Sequence, residues 1–558
     1  MLRLNVVFVL IFFIGGGLLF RLFEKQVVEH RQYAQAAQAQ SIGETAIQAQ
    51  RGRIFAKDRD GQLFPLAVSE WRYQLLVSPR QVKDKARLAD ELAKAVPLLE
   101  RESIYQAINN DKVYIPPLIK GLEGTLAKAI SEEGYAGVFL LPQLVRVYPE
   151  GEDLAAQVLG FVGADGEGKY GVEAVYDKLL RGITGSQRAK RDSLGRLIDI
   201  LGGKASETGA DVVLTVDHNL QYIVETKLKE ALQKYQASSG SIVVMNPKNG
   251  AILALSGQPT FDPNSFSKLR GDEQARFLAP AASSVYEPGS VFKPLTMAMA
   301  LDAGLVSPET TENFGAEVQV LDKLITNAEG KVFGRQTMRQ VLENSDNVAM
   351  VWVADKVGND LQRQYLEKFG FGQKSEIDLV GEQAGHLPEL KDWNDLLRAT
   401  AGFGQGVSAN VVQLAAAYSV LANGGILKSP HLAEKTLLDS SAQAIDFPDK
   451  GAVLKSETAA AVREMLVGVV ENGHGKRARV SGVRIGGKTG TAQVANPAGG
   501  YFEDRHIGTF AGLFPADDPR FVMVVRLDNP KTVRFAESSA APTFGEIAGW
   551  MTNYYGLR

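Results

Sequence analysis

Cysteine is absent from the 558 residues, which excludes disulfide scaffolds, thiolate nucleophiles and cysteine-ligated zinc together. The same absence suits a compartment in which stray thiols would oxidise. Histidine is scarce: His30, His218, His386, His431, His474 and His506 are scattered, and none pairs at metal-ligand spacing. They read as surface or locally hydrogen-bonded side chains. Neither a metal nor a cofactor is expected. A basic excess is missing as well. The chain carries 61 Lys and Arg against 64 Asp and Glu, a net charge of −3, so nucleic acid is not an expected partner. No Gly-x-Ser-x-Gly elbow occurs, which removes the usual signature of one large hydrolase class.

What is present begins with a hydrophobic run. Leu4 to Phe23 supplies 20 residues in which only Asn5 and Arg21 are strongly polar. A helix of that length spans about 30 Å, one hydrocarbon core. A cleaved signal peptide is the rival reading, through the small-x-small site Ala34-Gln35-Ala36. That site lies too far past the apolar run, behind Arg21, Glu24, Lys25, Glu29, His30 and Arg31. Residues 1–23 are therefore read as a membrane anchor. Basic residues on both sides leave its orientation open on charge alone. Residues 24–50, rich in Ala and Gln, are expected to continue it as a polar juxtamembrane helix.

Residues 51–208 mix short β-like runs with turns and helical stretches such as Ala86 to Leu99, and carry no catalytic pattern. They are expected to form a non-catalytic α+β module. A second regime opens at Gly209. Val212 to Val216 reads as a strand, Asn219 to Tyr235 as a helix, and Ser241 to Met245 with Ala251 to Leu255 as a strand pair. A long, mostly helical middle runs to about Glu471. Val480 to Val494, Gly508 to Phe514 and Phe521 to Leu527 close the sheet, and Pro542 to Tyr555 forms a last helix. One sheet bracketing a helical insert makes residues 209–558 a mixed α/β domain.

The residues able to do chemistry start at Tyr286-Glu287-Pro288-Gly289-Ser290-Val291-Phe292-Lys293. Pro288 and Gly289 make a turn and an apolar helix follows, so Ser290 lies at a helix N-terminus with Lys293 one turn on. A serine hydroxyl is a poor nucleophile until a neighbouring base takes its proton, and an amine of depressed pKa can do so. Burial, the helix N-terminus and a second cation are expected to lower the pKa of Lys293. Ser-x-x-Lys alone is weak, and Ser265-Phe266-Ser267-Lys268 also fits it, without a following apolar helix. Two further elements raise the signal. Ser345-Asp346-Asn347 comes 55 residues after Ser290, and Lys488-Thr489-Gly490-Thr491 comes 143 residues after Ser345. A second Ser-x-Asn, Ser408-Ala409-Asn410, is the weaker partner. The ordered triple is that of penicillin-binding proteins and class A β-lactamases.

On these motifs the chain resembles a class B penicillin-binding protein, a monofunctional peptidoglycan D,D-transpeptidase. Supporting pieces are Arg51-Gly52-Arg53-Ile54, Arg146-Val147-Tyr148-Pro149, Gly171-Val172-Glu173, Leu214-Thr215-Val216-Asp217, Phe261-Asp262-Pro263-Asn264 and Gly402-Phe403-Gly404-Gln405-Gly406. The resemblance implies an α/β chain in three parts. A single transmembrane helix leads to an extended pedestal of dimerisation type, residues 51–208. A serine transpeptidase domain like that of β-lactamases follows, residues 209–558, with a central antiparallel sheet and a helical subregion. It also implies single-pass anchoring in the cytoplasmic membrane, with the bulk on the extracytoplasmic side.

The roles it implies are specific. Ser290 attacks the carbonyl of the penultimate D-alanine and Lys293 accepts its proton, while Ser345 and Lys488 relay a proton to the leaving D-alanine. Asn347 binds the donor amide, and Thr489, Gly490 and Thr491 with Lys488 hold the terminal carboxylate side of the donor. The backbone N–H groups of Ser290 and Thr491 form the oxyanion hole. The implied partners are peptidoglycan stem peptides and lipid-linked precursor, β-lactams as covalent inhibitors, a membrane glycosyltransferase and division-complex proteins. Asp378-Leu379-Val380-Gly381-Glu382 and the 70 residues after Lys488 favour the septal over the elongation type. Asp346 departs from the serine common at that place.

Rival readings each meet an obstacle. A β-lactamase-like hydrolase would need a Glu-x-x-Leu-Asn element, which is missing, and a bifunctional relative would need a glycosyltransferase signature, also missing. A scaffold without chemistry is at odds with three intact motifs. Gly482 to Thr489 matches the phosphate-loop pattern of ATPases, but the residues after it continue as a strand, not a helix.

Overall fold

The apolar run is helical as expected. Helix α1 spans Leu2–Phe23, with nearly every side chain from Leu4 onward exposed, and is long and apolar enough to cross a membrane. The computed structural model describes residues 2–33, 42–151, 153–191, 197–439, 441–496 and 499–557. Beyond α1 the chain stays helical through residue 33, apart from a bend at Glu29, but the expected juxtamembrane helix is corrected from residue 42 on. A π-helical turn occupies Glu24–Val28, and Ile42–Ile47 is a strand. Two isoleucines and a threonine in that hexapeptide favour extended backbone, and it pairs antiparallel with Gly185–Arg191. Most of the Ala/Gln run, residues 34–41, lies outside the described residues.

The chain forms two compact units, Met1–Arg51 with Arg181–Gly209, and Gly52–Leu180 with Ala210–Arg558. The stretch 51–208 is thus divided between them. In the first unit, Ile42–Ile47, Gly185–Arg191 and Leu197–Lys204 make a three-stranded antiparallel sheet.

The second unit opens with β1 (Ile54–Lys57) and the long β2 (Leu63–Val77), which pairs antiparallel with β1, with the short strand Ile119–Leu122 and with β3 (Val138–Val147). Helices Lys85–Ala95, Arg101–Ile108 and Gly124–Glu133 share a core with β2 built on Leu75, Leu92, Ile108 and Ile130. The supporting pieces meet here. Arg146 Nε donates to Glu173 Oε1 at 2.6 Å and Nη1 to Gly52 O at 2.7 Å. Asn264 exchanges two 3.0 Å hydrogen bonds with the backbone of Tyr148. Strand β4 (Asp211–Asp217) runs parallel to β1 and leads into α2 (His218–Tyr235), which Asp217 caps by accepting from Leu220 N–H.

The catalytic-type sheet has five antiparallel strands: β5 (Ser239–Met245), β6 (Ile252–Gln258), β7 (Gly486–Ala495), β8 (Tyr501–Phe514) and β9 (Phe521–Asp528). Their order is β6-β5-β9-β8-β7, which leaves β7 at an edge. Both faces are covered, so the central strands read as near-continuous apolar runs. Ile242 and Val244 face a core with α2 and the C-terminal helix α8 (Ala540–Tyr554), while Val243 and Met245 face the helical subregion. That subregion holds α3 (Lys293–Asp302), α4 (Met338–Asn344), α5 (Asn347–Val357), α6 (Val411–Ala422) and α7 (Ser456–Glu471). Every residue of α6 is buried, which makes it the axis of the core.

Candidate active site

Pro288 and Gly289 turn the chain into a short 3-10 turn, Gly289–Phe292, which runs directly into α3. Ser290 heads the helix and Lys293 follows one turn on. Two outside groups hold this turn. Tyr418 OH of α6 donates to Val291 O at 2.7 Å, and Gly289 N–H donates to Gly404 O at 3.0 Å. Gly404 has φ +82°, and a Cβ there would meet Gly289 O at 2.3 Å, so only glycine lets the two segments touch. The Gly402–Gly406 segment is therefore the buttress of the serine turn.

Ser345 ends α4 in the left-handed region, φ +55°, which side chains other than glycine seldom adopt. The turn presents both its carbonyl and its hydroxyl to Lys293. Lys293 Nζ donates to Ser345 O at 2.6 Å, Asn347 Oδ1 at 2.7 Å and Ser345 Oγ at 3.2 Å. From edge strand β7, Lys488 Nζ donates to the same Ser345 Oγ at 3.0 Å and to Thr489 O at 3.0 Å. Both lysines are wholly buried. One hydroxyl thus sits between two amines.

Burial, then the neighbouring Lys488, holds the Lys293 amine well below the usual lysine range, against an opposing pull from Asp346. Burial pushes Lys488 down to about 7, with Glu537 opposing. Burial and the second cation were expected; the opposing carboxylate was not. Asp346 is fully buried and caps α5, accepting from Ala349 N–H at 2.9 Å and Gln336 Nε2 at 2.8 Å. Asn347 also gives its amide Nδ2 to Thr326 O at 3.0 Å, so its carboxamide is internally satisfied in this state.

Gly490 packs β7 against the serine turn. A Cβ there would meet Pro288 O and Val291 Cγ1 at 2.9 Å. Thr491 Oγ1 accepts from Ala536 N–H at 3.1 Å, which ties the turn Ala536–Ser538 to the strand. Ser290, Ser345, Asn347, Thr489 and Thr491 line one cleft of about 370 Å³. The structure therefore brings every residue expected at the site together. It adds Phe333, Phe403, Phe535, His474 and Glu537 to the walls, residues separated by irregular distances that no spacing pattern marks. Only Phe403 carried a signal, inside its glycine-rich segment.

The lookalike motifs go elsewhere. Ser265 Oγ is spent on Asp262 Oδ2 at 2.6 Å in a surface turn. Asn410 caps α6, and Ser408 Oγ accepts from His386 N–H at 2.8 Å. Asp378 is structural, accepting from Leu432 N–H at 2.6 Å, Ala433 N–H at 2.8 Å and Tyr176 OH at 3.0 Å. Lys488 lies within a strand, which excludes a phosphate loop, since that loop must open a helix.

Comparison with known proteins agrees with this geometry. The penicillin binding protein transpeptidase domain matches residues 240–549, and the penicillin-binding protein dimerisation domain matches residues 46–214. Stage V sporulation protein D of Bacillus subtilis is 36% identical over 509 residues, covering 89% of this chain and 77% of the relative. Peptidoglycan D,D-transpeptidase FtsI of Escherichia coli is 29% identical over 540 residues, covering 94% and 87%. The crystal structure of penicillin binding protein 3 from Mycobacterium tuberculosis with aztreonam superposes with a TM-score of 0.71 at 29% identity, covering 92% of this chain and 98% of that one. With an apolar helix, a dimerisation domain and a transpeptidase domain in that order, the chain belongs to the penicillin-binding protein family.

Proposed function

We propose that this chain is a serine D,D-transpeptidase that cross-links peptidoglycan stem peptides and is acylated by β-lactams at Ser290. The observation that carries the reading is the pair of buried lysines meeting at Ser345 Oγ beside the serine turn. Ser290 Oγ attacks the penultimate D-alanine carbonyl, and a neutral Lys293 takes its proton. A neutral amine has two protons for its three contacts with Ser345 and Asn347, so its lone pair is available to the Ser290 proton once one contact opens. The chain Lys293–Ser345–Lys488 then returns a proton to the leaving D-alanine. Thr489 and Thr491 receive the donor carboxylate, and N–H groups of Ser290 and Thr491 stabilise the oxyanion. Asn347 turns its carboxamide to the donor amide once Lys293 lets go.

The same reading places α1 in the cytoplasmic membrane with the rest outside, where lipid-linked precursor, a partner glycosyltransferase and division proteins are reached. Likeness to FtsI supports a septal role over an elongation role. The test is labelling with a fluorescent β-lactam and mapping the adduct. Ser290→Ala abolishes labelling and Ser265→Ala does not; an adduct on Ser265 overturns the assignment. An anchorless form beginning near Gln50 still acylates but fails to complement cells lacking the protein.

A further inference from the structure

His474 and Glu537 form a hydrogen-bonded pair on the wall of the same cleft, and the acylation chemistry uses neither. His474 Nδ1 lies 2.8 Å from Glu537 Oε2. A carboxylate only accepts, so in the neutral imidazole this contact selects the tautomer with the proton on Nδ1 and the lone pair on Nε2. The two side chains are 38% and 40% exposed, within reach of an incoming molecule yet part of the cavity that holds Ser290 and Thr491. Glu537 sits on the turn that Thr491 anchors, and its charge is felt at Lys488. His474 in turn follows α7, so the pair joins two elements that flank β7.

The second half-reaction has a requirement that the first lacks. An aliphatic amine acceptor arrives as an ammonium near neutral pH and cannot attack until it loses a proton. Lys293 and Lys488 both face inward, onto Ser345, Asn347 and Thr489. Two protons must leave the acceptor, and His474 is a second base on the wall of the same cleft, outside that inner set.

We propose that His474 is the general base that deprotonates the acceptor amine, with Glu537 as its positioning residue; this rests on the transpeptidase reading above. His474 Nε2 takes one proton from the acceptor ammonium, and the Glu537 carboxylate stabilises the imidazolium. The freed amine attacks the ester carbonyl on Ser290, the C–N bond forms and the C–Oγ bond breaks. The second amine proton passes to Ser290 Oγ through the Lys293–Ser345–Lys488 chain. The imidazolium then yields its proton to solvent, so one ester becomes one amide with release of one proton. The arrangement is that of a carboxylate–imidazole dyad, applied to the attacking amine and not to the enzyme's own serine.

The experiment uses the full chain in detergent, a thioester donor to acylate Ser290 and D-alanine as acceptor amine. His474→Gln lowers the rate constant for transfer to D-alanine more than tenfold relative to the acylation constant. His474→Ala is similarly impaired and regains at least threefold on addition of imidazole, which a merely structural residue would not allow. Glu537→Gln lowers transfer at saturating acceptor, and the double variant is no worse than the poorer single one, as for residues acting as a unit. An unchanged transfer-to-acylation ratio in His474→Gln, or an alanine variant that melts normally but ignores imidazole, overturns the proposal alone. A wild-type chain never acylated at Ser290 would instead overturn the transpeptidase reading.

Discussion

Two buried pairs of ionisable side chains in this chain follow opposite rules. In the pedestal, Arg146 and Glu173 have side chains 5% and 0% exposed and meet as opposite charges at 2.6 Å. In the cleft, Lys293 and Lys488 are equally buried, yet they meet as like groups through one serine hydroxyl. An ion pair compensates its own desolvation in part, whereas two lysines cannot and answer by giving up protons. The pedestal pair secures a junction. The cleft pair carries a standing loss of stability, which the proposed transpeptidase chemistry would put to use.

The largest effect that separates the two rules is on rate. Lys293→Arg keeps a cation but cannot deprotonate, so the second-order acylation constant falls by ~10³-fold, nearly as far as in Lys293→Ala. If Lys293 merely supplied charge, the arginine enzyme would stay within tenfold of wild type. Next comes the pedestal. Glu173→Gln leaves a guanidinium buried beside a neutral group and lowers unfolding free energy by about 3 kcal/mol or more in denaturant titrations. The molecules that remain folded acylate at the normal rate.

Lys488→Met tests the opposite sign. A lysine whose pKa falls from 10.5 in the open chain to about 7 when folded binds fewer protons folded than unfolded between those values. Stability therefore rises with pH across that window, and the lysine's cost is full below pH 7 and gone above 10.5. The fall in pKa sets an upper limit of ~5 kcal/mol on that cost, and lost hydrogen bonds to Ser345 and Thr489 reduce the net gain. Lys488→Met is expected to exceed wild type in unfolding free energy at pH 7 by roughly 1–3 kcal/mol in denaturant titrations, the margin shrinking toward pH 10, while acylation is crippled. The smallest effect belongs to Asp346→Ser, which preserves the cap on α5 but removes the charge that raises the Lys293 pKa. The acid limb of the acylation profile then moves to lower pH, by less than about one unit.

The two buried clusters were unequally legible in the sequence. Strands β5 and β9 and helix α2 follow local periodicity, and their observed spans agree with expectation to within one or two residues. The three motifs that start at Ser290, Ser345 and Lys488 were readable because each is short and their order is distinctive. Ser345 shows where that stops. Spacing sets Lys293 beside Ser290, but the left-handed turn at Ser345 hands the amine to Ser345 and Asn347, and no pattern announces a positive φ at a serine. Strand Ile42–Ile47 was missed because helix propensity was carried forward from the Ala/Gln run, while its pairing partner lies far along the chain. His474 and Glu537 are 63 residues apart with no motif joining them; only the fold makes them neighbours.

The seam at Gly490 has a consequence for the evolution of antibiotic resistance. A Cβ at that position would lie 2.9 Å from Pro288 O and Val291 Cγ1, so any side chain there would lever β7 off the serine turn and disable the enzyme together with its inhibitor target. Gly404 imposes the same restriction from the other side, 2.3 Å from Gly289 O. A side chain at either glycine therefore displaces β7 or the Gly402–Gly406 segment from the serine turn. Change in this cleft is left to wall residues such as Phe333 and Arg534, which are not among the groups that hold the serine turn.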